Sequence, residues 1–297
     1  MTLASIKRSS AWALWPIDKL FISYSIIMIC LLGLASLRNP QALLFILGHI
    51  AAVCLIFVLA RSSSGLSVLL RHWFVLCYVP FCYKAVPFVI VTLGLRVADS
   101  TLARWDAWMF KTDPILWLSA LQSGPLVEFL QIVYTMFLPG VLVLAAILWI
   151  RQSRQEFRYS AFLIAATFLI SYLGYLVLPA RGPRFAPYPP MHGLWTFASL
   201  QKLLDSLEGV QYDCFPSGHV AVVMVGSYLA GKISRRLFVA FSTFAALIAF
   251  STVYLRYHYV IDVIAGAALA LLLIAVAPAI YRKLDSNDSA QAAQEPV

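Results

Sequence analysis

Charge is the scarcest resource in this chain. Lys, Arg, Asp and Glu together make up only 12% of its 297 residues, and just 13 of them are acidic. Water-soluble domains carry about a quarter charged residues, so the sequence reads as one membrane domain with no soluble domain attached. Its few acidic side chains are not clustered as a Mg²⁺ cage requires, and neither a metal nor a cofactor is expected. Cysteine is equally sparse. Cys30, Cys54, Cys77 and Cys82 lie in or beside apolar runs and read as small buried residues, while Cys214 has no obvious loop partner. A disulfide framework is not supported. No internal repeat is visible. The segment before Leu20 is too long and too mixed for a cleaved leader, so the first apolar run is expected to stay as an anchor.

What remains is apolar. Hydrophobic residues make up 62% of the chain and the mean hydropathy is +0.84. A spanning helix needs about 20 mostly apolar residues. Runs of this kind lie near 20–37, 42–60, 73–95, 126–150, 160–178, 217–231, 237–254 and 258–280. Pro80, Lys84 and Pro87 interrupt the third, which reads as a kinked span or a re-entrant segment. The expected fold is therefore an all-α integral membrane protein with about eight transmembrane helices.

The net charge of +9 suggests nucleic acid only until its placement is considered. Lys7, Arg8 and Lys19 precede the first run, and Arg61 and Arg71 follow the second. Arg151, Arg154 and Arg158 follow the fourth, Lys232, Arg235 and Arg236 the sixth, and Arg282 and Lys283 the last. Every second connection is basic, as cytoplasmic loops are. The other connections mix both signs. Both termini are thus expected in the cytoplasm, in a bacterial inner membrane or its equivalent, and no nucleic-acid partner is implied. The oligomeric state is not legible.

Three segments are distinguished along the chain. Residues 1–98 hold N-terminal transmembrane helices, 99–283 form a catalytic membrane core, and the polar stretch 284–297 reads as a disordered cytoplasmic tail. Between Arg96 and Gly124, Trp105, Trp108, Phe110 and Trp117 alternate with charges. That pattern suits an amphipathic helix at the headgroup layer near 99–124, with an ordinary structured loop as the plainer alternative. The connection from Leu178 to Phe215 opens with Pro179, Pro183, Pro187, Pro189 and Pro190, so it cannot start as helix. Its length suits a segment that covers or lines a site.

Two polar motifs stand at the mouths of apolar runs, on the side opposite the basic loops. The first is Pro216-Ser217-Gly218-His219; the second runs from Arg256 through His258 to Asp262. His258 and Asp262 are four residues apart, hence on one helix face. The carboxylate can orient the imidazole so that its other nitrogen serves as a nucleophile. Alone, the pair could equally be making a helix end tolerable. Arg256 adds a planar cation suited to phosphate oxygens. A helix start at Ser217 and Gly218 offers amides and the positive end of its dipole to an anion. His219 is then placed to donate a proton to a departing oxygen, although by itself the motif is also an ordinary cap beside a histidine. Arg181 and Arg184 end the fifth run on the same side. They could complete a cage around a phosphoryl group, or serve as exposed loop cations attracted to headgroups. Lys84 and Glu128, near the apolar zone, are suspect by position alone.

An arginine-bearing loop, Pro-Ser-Gly-His and a His-x-x-x-Asp element, in that order, resemble the type 2 phosphatidic acid phosphatase superfamily, from about Asp99 onward. The resemblance implies a helical core in which His258 is phosphorylated, Asp262 holds it, and His219 protonates the leaving group. Superfamily members usually carry arginine where Thr252 stands, and a lysine seven residues before a first-motif arginine; here those positions are Val177 and Gly174. These departures, with Arg181-Gly182-Pro183-Arg184 and the Arg104-Trp105-Asp106 region, look more like the inositol phosphorylceramide synthase-like branch. That branch moves a phospho-headgroup between lipids. The expectation is a metal-independent enzyme acting on a lipid phosphate at the extracytoplasmic face, with Arg181, Arg184, Ser217, Gly218 and Arg256 on the phosphoryl oxygens. Release of inorganic phosphate is the alternative. A transporter is the distant rival, but it would spread its polar groups along helices near the midplane.

Overall fold

A computed structural model describes residues 13–209 and 211–292, and among them there is helix but no strand. The helices are α1 (Pro16–Ser36), α2 (Ala42–Arg61), α3 (Gly65–Leu93), α4 (Asp99–Phe110), α5 (Pro114–Ala120), α6 (Gly124–Thr135), α7 (Phe137–Arg151), α8 (Arg154–Val177), α9 (Phe197–Glu208), α10 (Gly218–Gly231), α11 (Arg235–Tyr254) and α12 (Val260–Ala292).

Every apolar run forms a helix, but not every helix is long enough to cross a bilayer. Six qualify by length and composition: α1, α2, α3, α8, α11 and α12. The fourth run is broken at Met136 into α6 and α7, bent by 44°, and counts as a seventh span if the pair is taken together. The sixth run is α10, only 14 residues; at 1.5 Å per residue it is about 21 Å long, against a hydrocarbon core of about 30 Å. The third run is not broken. Pro80 and Pro87 are accommodated within one continuous 29-residue helix, with Ser64 as its N-cap.

The segment expected near 99–124 as a single interfacial helix is two short ones. Lys111 turns left-handed at φ 57° and ends α4. Asp113 then starts α5 by accepting the Ile115 and Leu116 amides at 2.9 and 3.2 Å. Trp105, Trp108 and Trp117 are exposed, as aromatic side chains at a headgroup layer would be. The last helix continues to Ala292, into the stretch 284–297 that composition marks as disordered; residues 293–297 lie outside the described residues.

Helix α8 is the hub. Two thirds of its apolar window is buried, more than in any other long helix, and it packs against α1, α3, α7, α10 and α12. Small residues on its buried faces, among them Ala161, Ala165, Ala166, Thr167 and Ser171, allow that many neighbours to approach. One continuous apolar core runs from Phe21 and Met28 in α1, through Leu163 and Leu169, to Leu273 in α12. A buried polar chain braces the first three helices: the Tyr78 hydroxyl meets Ser25 and, at 2.7 Å, His49 Nδ1.

One carboxylate anchors the far half of the long connection after α8. Glu128 Oε1 accepts the Leu194, Trp195, Thr196 and Phe197 amides, and its Oε2 takes the Thr196 hydroxyl at 2.6 Å. The suspect charge on α6 is therefore the anchor that starts α9, a carboxylate at a helix N-terminus.

Candidate active site

The site is built where three chain reversals meet. At the end of α11, the Tyr257 and His258 amides both fold back onto the Thr252 carbonyl, at 2.8 and 3.0 Å. That turn needs a left-handed residue, and Arg256 takes it at φ 63°, a conformation uncommon for anything but glycine or asparagine. Its guanidinium is tied to a loop and a helix: Nη1 donates to the Pro189 carbonyl and Nη2 to the Ser119 hydroxyl of α5 at 2.9 Å. In this structure the side chain expected on a phosphate acts as a staple. Holding α5 and the proline-rich loop against one turn takes a cation with several donors.

The start of α12 is capped from another helix. Asp106 of α4, 2% exposed, accepts the Val260 and Ile261 amides, both at 2.8 Å. Asp262 Oδ2 accepts the Tyr259 amide at 2.8 Å, while its carbonyl accepts the Ser217 amide at 2.9 Å, joining α12 to the start of α10. His258 lies between these anchors. Its Nδ1 is 3.5 Å from Asp262 Oδ2, with both side chains buried, and its Nε2 is 3.4 Å from His219 Nδ1. Histidines 39 residues apart in the chain therefore meet at ring nitrogens. The His258–Asp262 contact is at the outer edge of a hydrogen bond, and catalytic contacts are commonly loose before substrate arrives. Among the described residues, neither His258 Nδ1 nor Asp262 Oδ1 has another hydrogen-bond partner.

His219 is enclosed by aromatic rings. Phe137 and Tyr134 lie 4.4 and 4.9 Å from it, and Tyr134 stacks flat on Tyr257 at 4.0 Å. The bend between α6 and α7 falls at Met136, so both rings come from the two sides of that break. Ser217 caps α10 through a long contact, 3.4 Å from the Val220 amide. Gly218 has no room for a side chain, because a Cβ would lie 2.4 Å from the Tyr175 hydroxyl.

The arginine loop reaches the site through Asp99 of α4, which accepts the Arg181 and Gly182 amides at 3.0 and 2.8 Å and the Tyr259 hydroxyl at 3.2 Å. Gly182 sits at φ 94°, where a Cβ would strike the Tyr257 carbonyl at 2.5 Å. Its absence of a side chain lets the loop lie directly on the turn before His258. The two arginines differ. Arg184 is half-buried, its amide bonded to the Arg256 carbonyl at 2.8 Å, its guanidinium 5.2 Å from the Tyr257 ring. Nη2 pairs with Asp205, whereas the buried Nη1 has no partner. Arg181 is exposed and stacks on Phe185 at 4.1 Å.

A cavity of about 390 Å³ opens beside His219 and runs between α3, α7 and α8 to Trp73, Leu148 and Phe157. Its walls are largely apolar, which suits hydrocarbon. Among the described residues one group could hold a metal: Cys214 Sγ, His258 and Asp262 offer ligand atoms within 4.8 Å of one another. One thiol, one imidazole and one carboxylate do not form the oxygen cage that Mg²⁺ takes. Burial keeps the Cys214 thiol well above the ordinary thiol range, and it donates to the Tyr257 carbonyl at 3.3 Å.

A model of the PAP2 superfamily matches residues 100–276. The chain belongs to the PAP2 superfamily. The match begins at α4, so the helix that supplies Asp99 and Asp106 lies at the edge of the superfamily core. A phosphoinositol dihydroceramide synthase from Bacteroides thetaiotaomicron is 28% identical over 161 residues, covering 48% of this chain and 53% of that protein. The match thus spans about half the length of that curated relative. No solved structure matches. Thr252, where the superfamily's arginine is expected, is fully buried and its hydroxyl is bonded to the Ala249 carbonyl at 2.8 Å. Sequence reasoning missed Asp99, Asp106 and Gln131, which accepts the Tyr257 hydroxyl at 3.1 Å. A signal was present for the first two: Asp99, Leu102 and Asp106 share one face of α4 at spacings of three and four.

Proposed function

We propose that this chain transfers a phospho-headgroup through a phosphohistidine on His258. The observation that carries this reading is the 3.4 Å approach of His219 Nδ1 to His258 Nε2, with Asp262 behind the same imidazole. His258 Nε2 attacks phosphorus, and the P–O bond to the leaving group breaks as His219 gives that oxygen its proton. In the second half the acceptor hydroxyl attacks phosphorus, its proton passes to His219, and the P–N bond to His258 breaks. Asp262 keeps the His258 proton on Nδ1 and stabilises the charge that develops there. Arg184, through its open Nη1, and the amides at the start of α10 bind the phosphoryl oxygens; Arg181 swings in from the exposed loop. The reaction needs no metal, since these fixed donors supply the stabilising charge.

Transfer is favoured over simple hydrolysis by the buried Thr252 in place of arginine, and by the name of the relative from Bacteroides thetaiotaomicron. The donor is a lipid-linked phosphate and the acceptor an alcohol. In this reading the chain crosses the membrane eight times, α10 sitting within a locally thinned or water-entered region. Both termini are cytoplasmic and the histidines face the other side. A terminal tag protected in sealed spheroplasts, with a tag inserted after the exposed Trp195 accessible, is the expected labelling pattern. Purified protein given labelled donor, with and without inositol or a lipid alcohol, tests the chemistry. Acid-labile label on the protein that persists in chelator and disappears in His258→Ala is the result expected. Free phosphate as the sole product with every acceptor would make the protein a phosphatase, and undiminished turnover in His258→Ala would end the proposal.

A further inference from the structure

Three chain segments bring different ligand chemistries to one buried point. Cys214 stands on the loop that leads into α10, His258 on the turn after α11, and Asp262 in the first turn of α12. Their thiol, imidazole and carboxylate offer ligand atoms within 4.8 Å of one another, and the residues are only 1%, 2% and 0% exposed. Two of the atoms gathered there, His258 Nδ1 and Asp262 Oδ1, have no hydrogen-bond partner among the described residues. A buried polar atom without a partner is costly, and two in one cluster call for a ligand. Sulfur, nitrogen and oxygen donors together are the set that Zn²⁺ takes, and they are not the set that Mg²⁺ takes. A thiolate and a carboxylate also carry two negative charges between them, so a divalent ion would leave the buried site neutral.

We propose that Cys214, His258 and Asp262 form an inhibitory zinc site, and that the bound ion switches off the nucleophile. The site stands on these three side chains; its effect on turnover rests on the reading of His258 given above. His258 Nε2 faces His219 at 3.4 Å, which leaves Nδ1, on the Asp262 side, for the metal. A neutral imidazole carries one proton and one free lone pair. With the ion on Nδ1, the proton that stood there is replaced by one on Nε2. The atom that must attack phosphorus then has no lone pair to give. The Cys214 S–H bond breaks as the S–Zn bond forms, its proton leaves to solvent, and Asp262 binds as the carboxylate. Nothing is oxidised or reduced. The ligands of a tetrahedral zinc stand about 3.5 Å apart, so the widest pair here closes by about an ångström. Cys214 gives up its contact with the Tyr257 carbonyl in doing so. The fourth position is left to water, as in other zinc sites with three protein ligands.

Cobalt reports on the same geometry by its colour. Co²⁺ titrated into full-length, metal-free protein should produce a thiolate-to-metal charge-transfer band, and Zn²⁺ should displace it. Cys214→Ser keeps a donor for the Tyr257 carbonyl but removes the thiolate, and in it the band should vanish although the other four cysteines are unchanged. Zinc should lower wild-type turnover by about tenfold or more, reversibly with chelator, and Cys214→Ser should need about a hundredfold more zinc for the same loss. Its turnover without zinc should stay within about twofold of wild type. Asp262→Asn, which leaves the thiol in place, should keep the band but weaken cobalt about tenfold. A band that survives in Cys214→Ser would overturn the assignment, as would an unchanged cobalt affinity in Asp262→Asn. So would equal inhibition of wild type and Cys214→Ser, the result expected if zinc acted on the phosphate donor or the membrane. Failure of the phosphohistidine reading shows separately, as turnover surviving in His258→Ala, and leaves the wild-type cobalt band as it is.

Discussion

Two helix starts meet at this site, and they are finished in opposite ways. The first turn of α12 is closed by a carboxyl group from elsewhere, Asp106, with two amide contacts at 2.8 Å. The first turn of α10 is met by neutral hydroxyls, Ser217 at a long 3.4 Å and Tyr175 packed on Gly218. A helix N-terminus carries partial positive charge that an anion satisfies. At α12 the anion is built in, so that end is structural and fixes His258. At α10 it is not, and in the proposed reading that end takes the phosphoryl group. The proposed chemistry follows from which of the two is already occupied.

Removing the nucleophile tests the comparison hardest. His258→Ala should lower turnover by about a thousandfold or more, with loss of acid-labile label. His219→Gln should slow cleavage by about a hundredfold or more, and a donor with a more acidic leaving alcohol should be less affected than the natural one. Asp106→Asn comes next. Losing a charged cap costs about 1–2 kcal/mol of stability, and because His258 hangs from that turn, turnover should fall roughly tenfold with little change in KM. Ser217→Ala should cost only two- to threefold in kcat/KM, as a weakly held cap leaves its amides available to the substrate. An equal or larger effect of Ser217→Ala than of Asp106→Asn would reverse the roles given to the two helix ends. The two arginines refine the same point. Arg184→Gln should raise KM for the donor, whereas Arg256→Gln should lower the melting temperature and loosen the 178–215 connection to protease.

Much of this was legible before the fold was known. The apolar runs predict helices because a buried backbone must satisfy its own hydrogen bonds in lipid, and all eight runs are helical. His219, His258 and Asp262 could be singled out because titratable groups at the mouths of apolar runs are costly without a task. Arg256 was only partly legible: a guanidinium beside His258 and Asp262 in sequence suggests phosphate, but its Pro189 and Ser119 partners are long-range facts. Glu128 was equally opaque. Four amides nearly seventy residues away in the chain account for it, and no local pattern announces them. The third run showed the limit in the other direction, since two prolines proved compatible with one unbroken helix.

The amino-acid order alone determined that the chain belongs in a membrane, where its helices lie and which two histidines the proposed chemistry draws on. Those are consequences of hydropathy, charge placement and short spacings, all of them local. Only the tertiary structure decided which carboxylate caps the helix that follows His258, and which arginine keeps a donor outside its ion pair. Each of those depends on contacts between residues far apart in sequence, and a side chain's role in a site is set by the partners that reach it in three dimensions.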